Sequence, residues 1–276
     1  MRPDTTRRVS LPLFFGLTFF LSWLIWIPLV LSRFQVGPFR ISNELGGVVR
    51  LLGVLMPGIS AIVLTASVEG GKSLGAMLRR LFIGNVGIRY WLAAVLLYPA
   101  LLGVTALVYA WVGATPPIGM PQPTASGLVS NIVILLVAAA GEEVGWRGLA
   151  LPSLQRKRSP LVSSLILGLL WATWQLPFWM LQDTYASYRL WYLALNYLYV
   201  VPLTLFITWL FNRTRSSILM AVVFSFAFNI VNVALLPVTV VPLSYGFFIA
   251  LQALIVLFAL RRGLIERPRL IERPGP

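Results

Sequence analysis

The sequence predicts an all-α fold, a polytopic membrane bundle of about eight transmembrane helices with one further amphipathic helix at the membrane interface. Hydrophobic residues make up 58% of the 276 residues and charged residues only 11%, whereas soluble domains are about half apolar and a quarter charged. Apolar runs of roughly 20 residues, the length needed to cross a bilayer, recur along the chain. Short basic segments separate these runs, which is typical of a protein that crosses a membrane repeatedly.

The apolar runs form a single predicted membrane domain over residues 1–276. The first run is too long for a signal-peptide core and is predicted to be an uncleaved span. Apolar residues at helical spacing in the basic segment 68–90 predict a helix on the membrane surface. Loops are predicted at 115–124 and 182–189, and Pro152 is expected to end the fourth span. The predicted spans are 11–31, 46–66, 91–112, 128–151, 161–180, 190–211, 218–235 and 243–260.

The basic residues also predict the orientation of the chain. Five segments hold most of the 22 Lys and Arg residues: the head, the surface helix, the segments after spans four and six, and the tail. Eight spans place all five on one side, and the positive-inside rule makes that side cytoplasmic. We therefore predict an integral protein of a bacterial cytoplasmic membrane with both termini in the cytoplasm. The net charge of +14 then reflects topology and contact with membrane lipids, and no nucleic-acid partner is expected.

Two missing residue types restrict the chemistry. The chain has no cysteine, which excludes a disulfide framework, a thiol nucleophile and a thiolate metal site. It has no histidine either, which removes the commonest metal ligand and the usual general base. No metal or other cofactor is expected.

Charged residues inside the fourth span mark the candidate site. Glu142 and Glu143 are adjacent carboxylates, and a charge in hydrocarbon costs roughly 2.5–3.5 kcal/mol to insert. Arg147 follows Glu143 by one helical turn, so these two side chains can form a structural ion pair. Glu142 points to another face of the helix and is the stronger functional candidate.

Two later spans carry polar residues one helical turn apart. Trp171 and Gln175 lie in the fifth span, and Ser225 and Asn229 lie in the seventh. Polar side chains in membrane helices commonly make helix–helix hydrogen bonds, and tryptophan commonly packs or anchors at the interface. The alternative is that these residues surround Glu142 in one cavity.

At these residues the chain resembles the CPBP (ABI) family of intramembrane proteases, which includes the type II CAAX prenyl endopeptidases. The family's first motif, Glu-Glu-x-x-x-Arg, is present in the fourth span with Glu142 as its first residue. The second motif is an aromatic residue followed four positions later by His, and here Gln175 occupies the His position. The third is His followed four positions later by Asn or Asp, and here Ser225 occupies the His position. The resemblance is clearest over residues 127–235.

The resemblance implies roles for the matching residues. In the family, the first glutamate and the second-motif histidine are thought to activate a water, and the third motif is thought to stabilise the oxyanion. Carried over, Glu142 is the base, Glu143 and Arg147 are its supporting pair, and Asn229 is an oxyanion donor.

The two histidine replacements alter this chemistry. The amide of Gln175 can hold a water but cannot take a proton, and Ser225 can donate a hydrogen bond to an oxyanion. With both imidazoles gone, a stable zinc site is not expected.

Two hypotheses of different class follow. The first is a metal-free endopeptidase that uses Glu142 and water on a peptide or membrane-protein substrate. The second is a pseudoprotease that binds a peptide, a lipidated tail or a transmembrane segment in the former active-site cavity. A transporter is a weaker third alternative, because the sequence has no visible internal repeat.

Overall fold

The computed structural model describes residues 8–111, 125–235 and 252, and every regular element in these ranges is helical. The helices are α1 (Leu11–Arg33), α2 (Asn43–Leu64), α3 (Gly71–Arg79), α4 (Ile88–Trp111), α5 (Ala125–Glu143), α6 (Leu151–Gln155), α7 (Pro160–Trp174), α8 (Leu176–Met180), α9 (Asp183–Arg213) and α10 (Ile218–Leu235). The predicted all-α bundle is confirmed. The whole predicted loop 115–124, the tail and, apart from Gln252, the predicted eighth span lie outside the described residues.

The apolar helices follow the predicted spans. Within the described ranges, three helical segments are long and apolar enough to cross a membrane: Leu11–Arg33, Glu44–Glu69 and Leu190–Arg213. The shorter apolar helices are Ile88–Val104, Pro160–Trp174 and Ile218–Val231. Large apolar side chains such as Phe20 and Leu107 are exposed on the outside of the bundle, as expected for surfaces that face lipid. The chain is therefore an integral membrane protein.

The fourth span corrects one prediction, because Pro152 does not end it. The segment Val144–Ala150 is π-helical, and α6 continues the helix through the proline to Gln155. Proline lacks the N–H that would bond to the carbonyl four residues earlier. That carbonyl belongs to Gly148, and it accepts a hydrogen bond from Arg80 Nη2 instead. The wider π turn and this replacement donor explain how the helix passes through Pro152.

Two other predicted boundaries were wrong. The predicted loop 182–189 is helical from Asp183 onward, because the segment contains neither Gly nor Pro and begins with an acidic residue, which suits a helix N-terminus. The predicted fifth span is divided at Gln175 into α7 and α8. Pro177 cannot supply an N–H to continue α7.

The predicted surface helix is present but shorter than the segment 68–90. It consists of α3 and a 3₁₀ turn, Arg80–Phe82. Met77 is buried against the bundle, whereas Phe82 is 83% exposed. The apolar residues of this helix therefore pack only in part against the bundle, and Phe82 lies on its outer surface.

Four of the basic segments lie together at one end of the bundle, as predicted. The N–H of Val9 donates to Glu69 Oε1 at 3.0 Å, which joins the head to the π-helical segment Thr65–Glu69 after α2. Ser217 Oγ donates to the carbonyl of Ile83 at 2.7 Å, which joins the turn after α9 to the segment after α3. A cavity of about 380 Å³ between Glu69 and Arg156 adds the segment after α6. That this end faces the cytoplasm stays a prediction.

Glycine contacts fix α5 against α2. A Cβ at Gly58 would lie 2.5 Å from the carbonyl oxygen of Gly141, and a Cβ at Gly145 would lie 2.6 Å from Pro57. Contacts this short require glycine, since no side chain fits between the two backbones. The backbone of α2 therefore sets the position of the carboxylate motif.

We expect Gly58→Ala to destabilise the protein by about 1–3 kcal/mol, because the added methyl group overpacks the α2–α5 contact. The matched control is Gly47→Ala on the same helix, where a Cβ meets nothing within 4 Å. Unfolding of the detergent-solubilised protein, followed by circular dichroism, measures both changes. Equal effects of the two variants would contradict the proposed close contact.

Candidate active site

Glu143 lies at the centre of a buried polar cluster. Arg147 Nη1 is 3.0 Å from Glu143 Oε1, and both side chains are fully buried. Ser225 Oγ, from α10, donates to the same oxygen at 2.6 Å. The structure therefore confirms the predicted Glu143–Arg147 pair and places Ser225 against Glu143.

Glu142 has a different environment. Its Oε2 accepts a hydrogen bond from the indole Nε1 of Trp171 at 2.8 Å, and its side chain is only partly buried. The guanidinium of Arg147 lies over the same indole ring, 5.2 Å from the centroid, at a distance where cation and ring attract each other. Trp171 thus contacts both Glu142 and Arg147.

Trp171 was missed as a site residue, because tryptophan in a membrane helix usually packs or anchors. Its spacing of four residues from Gln175, and its position as the aromatic of the second motif, were the available signals. Neither signal could show that its N–H is directed at Glu142, because that depends on how α7 is rotated against α5.

An aromatic wall closes one side of the motif. Trp146, in the π-helical segment, is fully buried. Its ring lies 5.9 Å from Phe14, 6.1 Å from Phe15 and 5.4 Å from Trp174 between ring centroids. Trp174 Nε1 donates to Ser22 Oγ at 2.7 Å. Helices α1 and α7 therefore exclude water from this side of the helix.

Gln175 and Asn229 occupy positions of the second and third family motifs. Gln175 lies in the turn between α7 and α8, where its backbone N–H donates to the Trp171 carbonyl at 3.1 Å. Asn229 lies one turn after Ser225 on α10, partly buried. In the part of the chain that the structure describes, neither side chain hydrogen-bonds to Glu142. Their catalytic roles stay predictions.

The donor set does not suit a transition metal. Histidine and cysteine are absent from the sequence, and Glu143 is already engaged by Arg147 and Ser225. The described residues contain no group of three or more His, Cys, Asp or Glu side chains able to hold a metal ion.

Comparison with known proteins supports an intramembrane endopeptidase-like protein. Residues 124–231 match the Rce1-like family, described as Type II CAAX prenyl endopeptidase Rce1-like. The chain is 27% identical over 244 residues to CAAX prenyl protease 2 of Methanococcus maripaludis, an alignment that covers 82% of this chain and 85% of that protein. The resemblance to CAAX-type proteases is confirmed.

We expect Arg147→Met to cost about 3–5 kcal/mol, because it leaves the Glu143 carboxylate buried without its cation. The double variant Glu143→Gln/Arg147→Met should recover most of that loss, since no buried charge remains. The measurement is the free energy of unfolding in the same detergent.

An exposed arginine, changed as Arg79→Met, provides the control and should shift stability by less than about 0.5 kcal/mol. A double variant that is as unstable as the single one would show that the ion pair is not the source of the loss.

Proposed function

We propose that this protein is an intramembrane endopeptidase in which Glu142 activates water for peptide-bond hydrolysis without a metal or an imidazole. The division of labour between the two carboxylates supports this proposal. Glu143 is fully buried and engaged by Arg147 and Ser225. Glu142 is partly buried, and its Oε2 accepts a hydrogen bond from the indole of Trp171. A positioned carboxylate of this kind can act as a general base.

The reaction needs one proton acceptor and one oxyanion site. Glu142 accepts a proton from water as the water oxygen bonds to the scissile carbonyl carbon. The carbon–nitrogen bond then breaks, and Glu142 returns the proton to the leaving amine. Asn229 is the proposed donor to the oxyanion, and one such donor is typically worth about 3 kcal/mol. Gln175 is the proposed residue that holds the water.

The proposed substrate is a peptide or a segment of a membrane protein. The motif lies inside the bundle, and a relative is named as a CAAX prenyl protease. The glutamate motif, its arginine and the motif-two tryptophan occupy one buried cluster. These features support a peptide or a membrane-protein segment that enters the bundle as the molecule that is cleaved.

A second candidate function is a pseudoprotease that binds a peptide or lipidated tail without cleaving it. One observation favours it. Ser225 stands at a histidine position of the family motif, and its hydroxyl donates to Glu143 at 2.6 Å. A serine engaged in this way supports the ion pair and does not replace the proton-transfer function of an imidazole.

Purified protein in lipid nanodiscs, incubated with a peptide library, tests the first proposal. We expect Glu142→Gln to lower the rate of hydrolysis by about 100-fold or more, because general acid–base catalysis contributes that much. Glutamine keeps the shape and the acceptor for Trp171. The control is Glu44→Gln, the same chemical change at an exposed position, which should keep the full rate.

Two other outcomes contradict metal-free hydrolysis. Activity that disappears with a chelator and returns with added metal would assign the chemistry to an ion. Peptide binding without any turnover by the unmodified protein would establish the pseudoprotease instead.

A further inference from the structure

A large basic cavity opens at the same end of the bundle as the surface helix, away from the carboxylate motif. Its volume is about 800 Å³, and it lies between the residues that precede α1 and the turn that joins α6 to α7. Four cationic side chains line it: Arg8, Arg156, Lys157 and Arg158. None of these residues belongs to the catalytic cluster.

Two of these cations, Arg8 and Arg156, lie close enough to interact. Burial and then the positive charge of Arg8 lower the pKa of Arg156, while the carboxylate of Glu69 acts in the opposite direction. Glu69 also accepts the backbone N–H of Val9, and Arg156 Nη2 donates to Ser153 Oγ at 2.5 Å. Four cations around one cavity give it a positive electrostatic potential, which attracts anions. The charge of the lining therefore favours an anionic ligand over a neutral or cationic one.

Apolar side chains also line the cavity. Phe15 from α1 and Leu170 from α7 line it. Leu170 lies ten residues into α7, about 15 Å along the helix at 1.5 Å per residue. The cavity therefore runs from the charged end of the bundle into the part of α7 that spans the membrane. A small water-soluble anion has no apolar surface to bury against Phe15 and Leu170, whereas the acyl chain of a lipid does.

We propose that this cavity binds an anionic phospholipid. The phosphate lies among Arg8, Arg156, Lys157 and Arg158, and the part of an acyl chain nearest the headgroup lies along Phe15 and Leu170. Guanidinium groups bind phosphate with two parallel hydrogen bonds, and basic pockets between membrane helices take anionic headgroups. Phe15 also stacks on Trp146 at 6.1 Å. A bound lipid therefore borders the aromatic wall of the carboxylate motif.

The test uses delipidated full-length protein in neutral detergent, titrated with dioleoylphosphatidylglycerol and followed by native mass spectrometry. We expect saturable binding of one lipid that is weakened at least tenfold in the triple variant Arg8→Gln/Lys157→Gln/Arg158→Gln. Arg156 is kept because it contacts Ser153. The control is Lys72→Gln/Arg79→Gln/Arg89→Gln, which removes three exposed charges from the same end of the bundle, outside the cavity.

Each other outcome overturns the proposal. Equal weakening in both triple variants would indicate general attraction to a basic surface. Equal binding of dioleoylphosphatidylcholine would remove the requirement for an anionic headgroup. Displacement of the lipid by equimolar inorganic phosphate would make the site one for a soluble anion. Circular dichroism melting of both variants verifies that each remains folded.

Discussion

The buried ion pair between Glu143 and Arg147 is the interaction on which the rest of the site depends. Two full charges inside a membrane bundle are tolerated only when each is paired and hydrogen-bonded. Ser225 supplies one of those hydrogen bonds from α10, and the ring of Trp171 covers the guanidinium from α7. Three helices therefore converge on this pair, and the pair fixes how they face one another.

The backbone around the Glu143–Arg147 pair also helps to position it. Glycines let α2 touch α5 directly, and the π-helical segment Val144–Ala150 carries Arg147. Segments of π-helix inside longer helices are frequent at functional sites. Arg80, whose pKa burial lowers to about 10, binds the Gly148 carbonyl and links the surface helix to this segment. The guanidinium stays charged at neutral pH, so this link does not depend on pH near 7.

Hydropathy and charge were enough to predict most of the fold. A segment that crosses hydrocarbon must be a long apolar helix in which every backbone N–H and C=O group is hydrogen-bonded. The seventh predicted span, 218–235, was located by its hydropathy and matches α10 at both ends. The spacing of Glu143 and Arg147 likewise predicted their pairing, because one helical turn separates them.

Other features depend on contacts between distant parts of the chain. The helix passes through Pro152 because Arg80, far away in sequence, donates to Gly148. Ser225 binds Glu143, and Trp171 binds Glu142, because of the rotation of α10 and α7 about their own axes. No local pattern specifies such rotations, so the sequence could nominate these residues but could not assign their partners.

The central claim is that Glu143 maintains the structure while Glu142 is left for chemistry. The free energies of unfolding of Glu142→Gln and Glu143→Gln, measured side by side in one detergent, test it most directly. We predict that Glu143→Gln loses about 3 kcal/mol or more, because Arg147 is left buried without a charge partner. Glu142→Gln should stay within about 1 kcal/mol of the unmodified protein, since its amide oxygen still accepts from Trp171. A loss in Glu142→Gln that equals the loss in Glu143→Gln would contradict this division of roles.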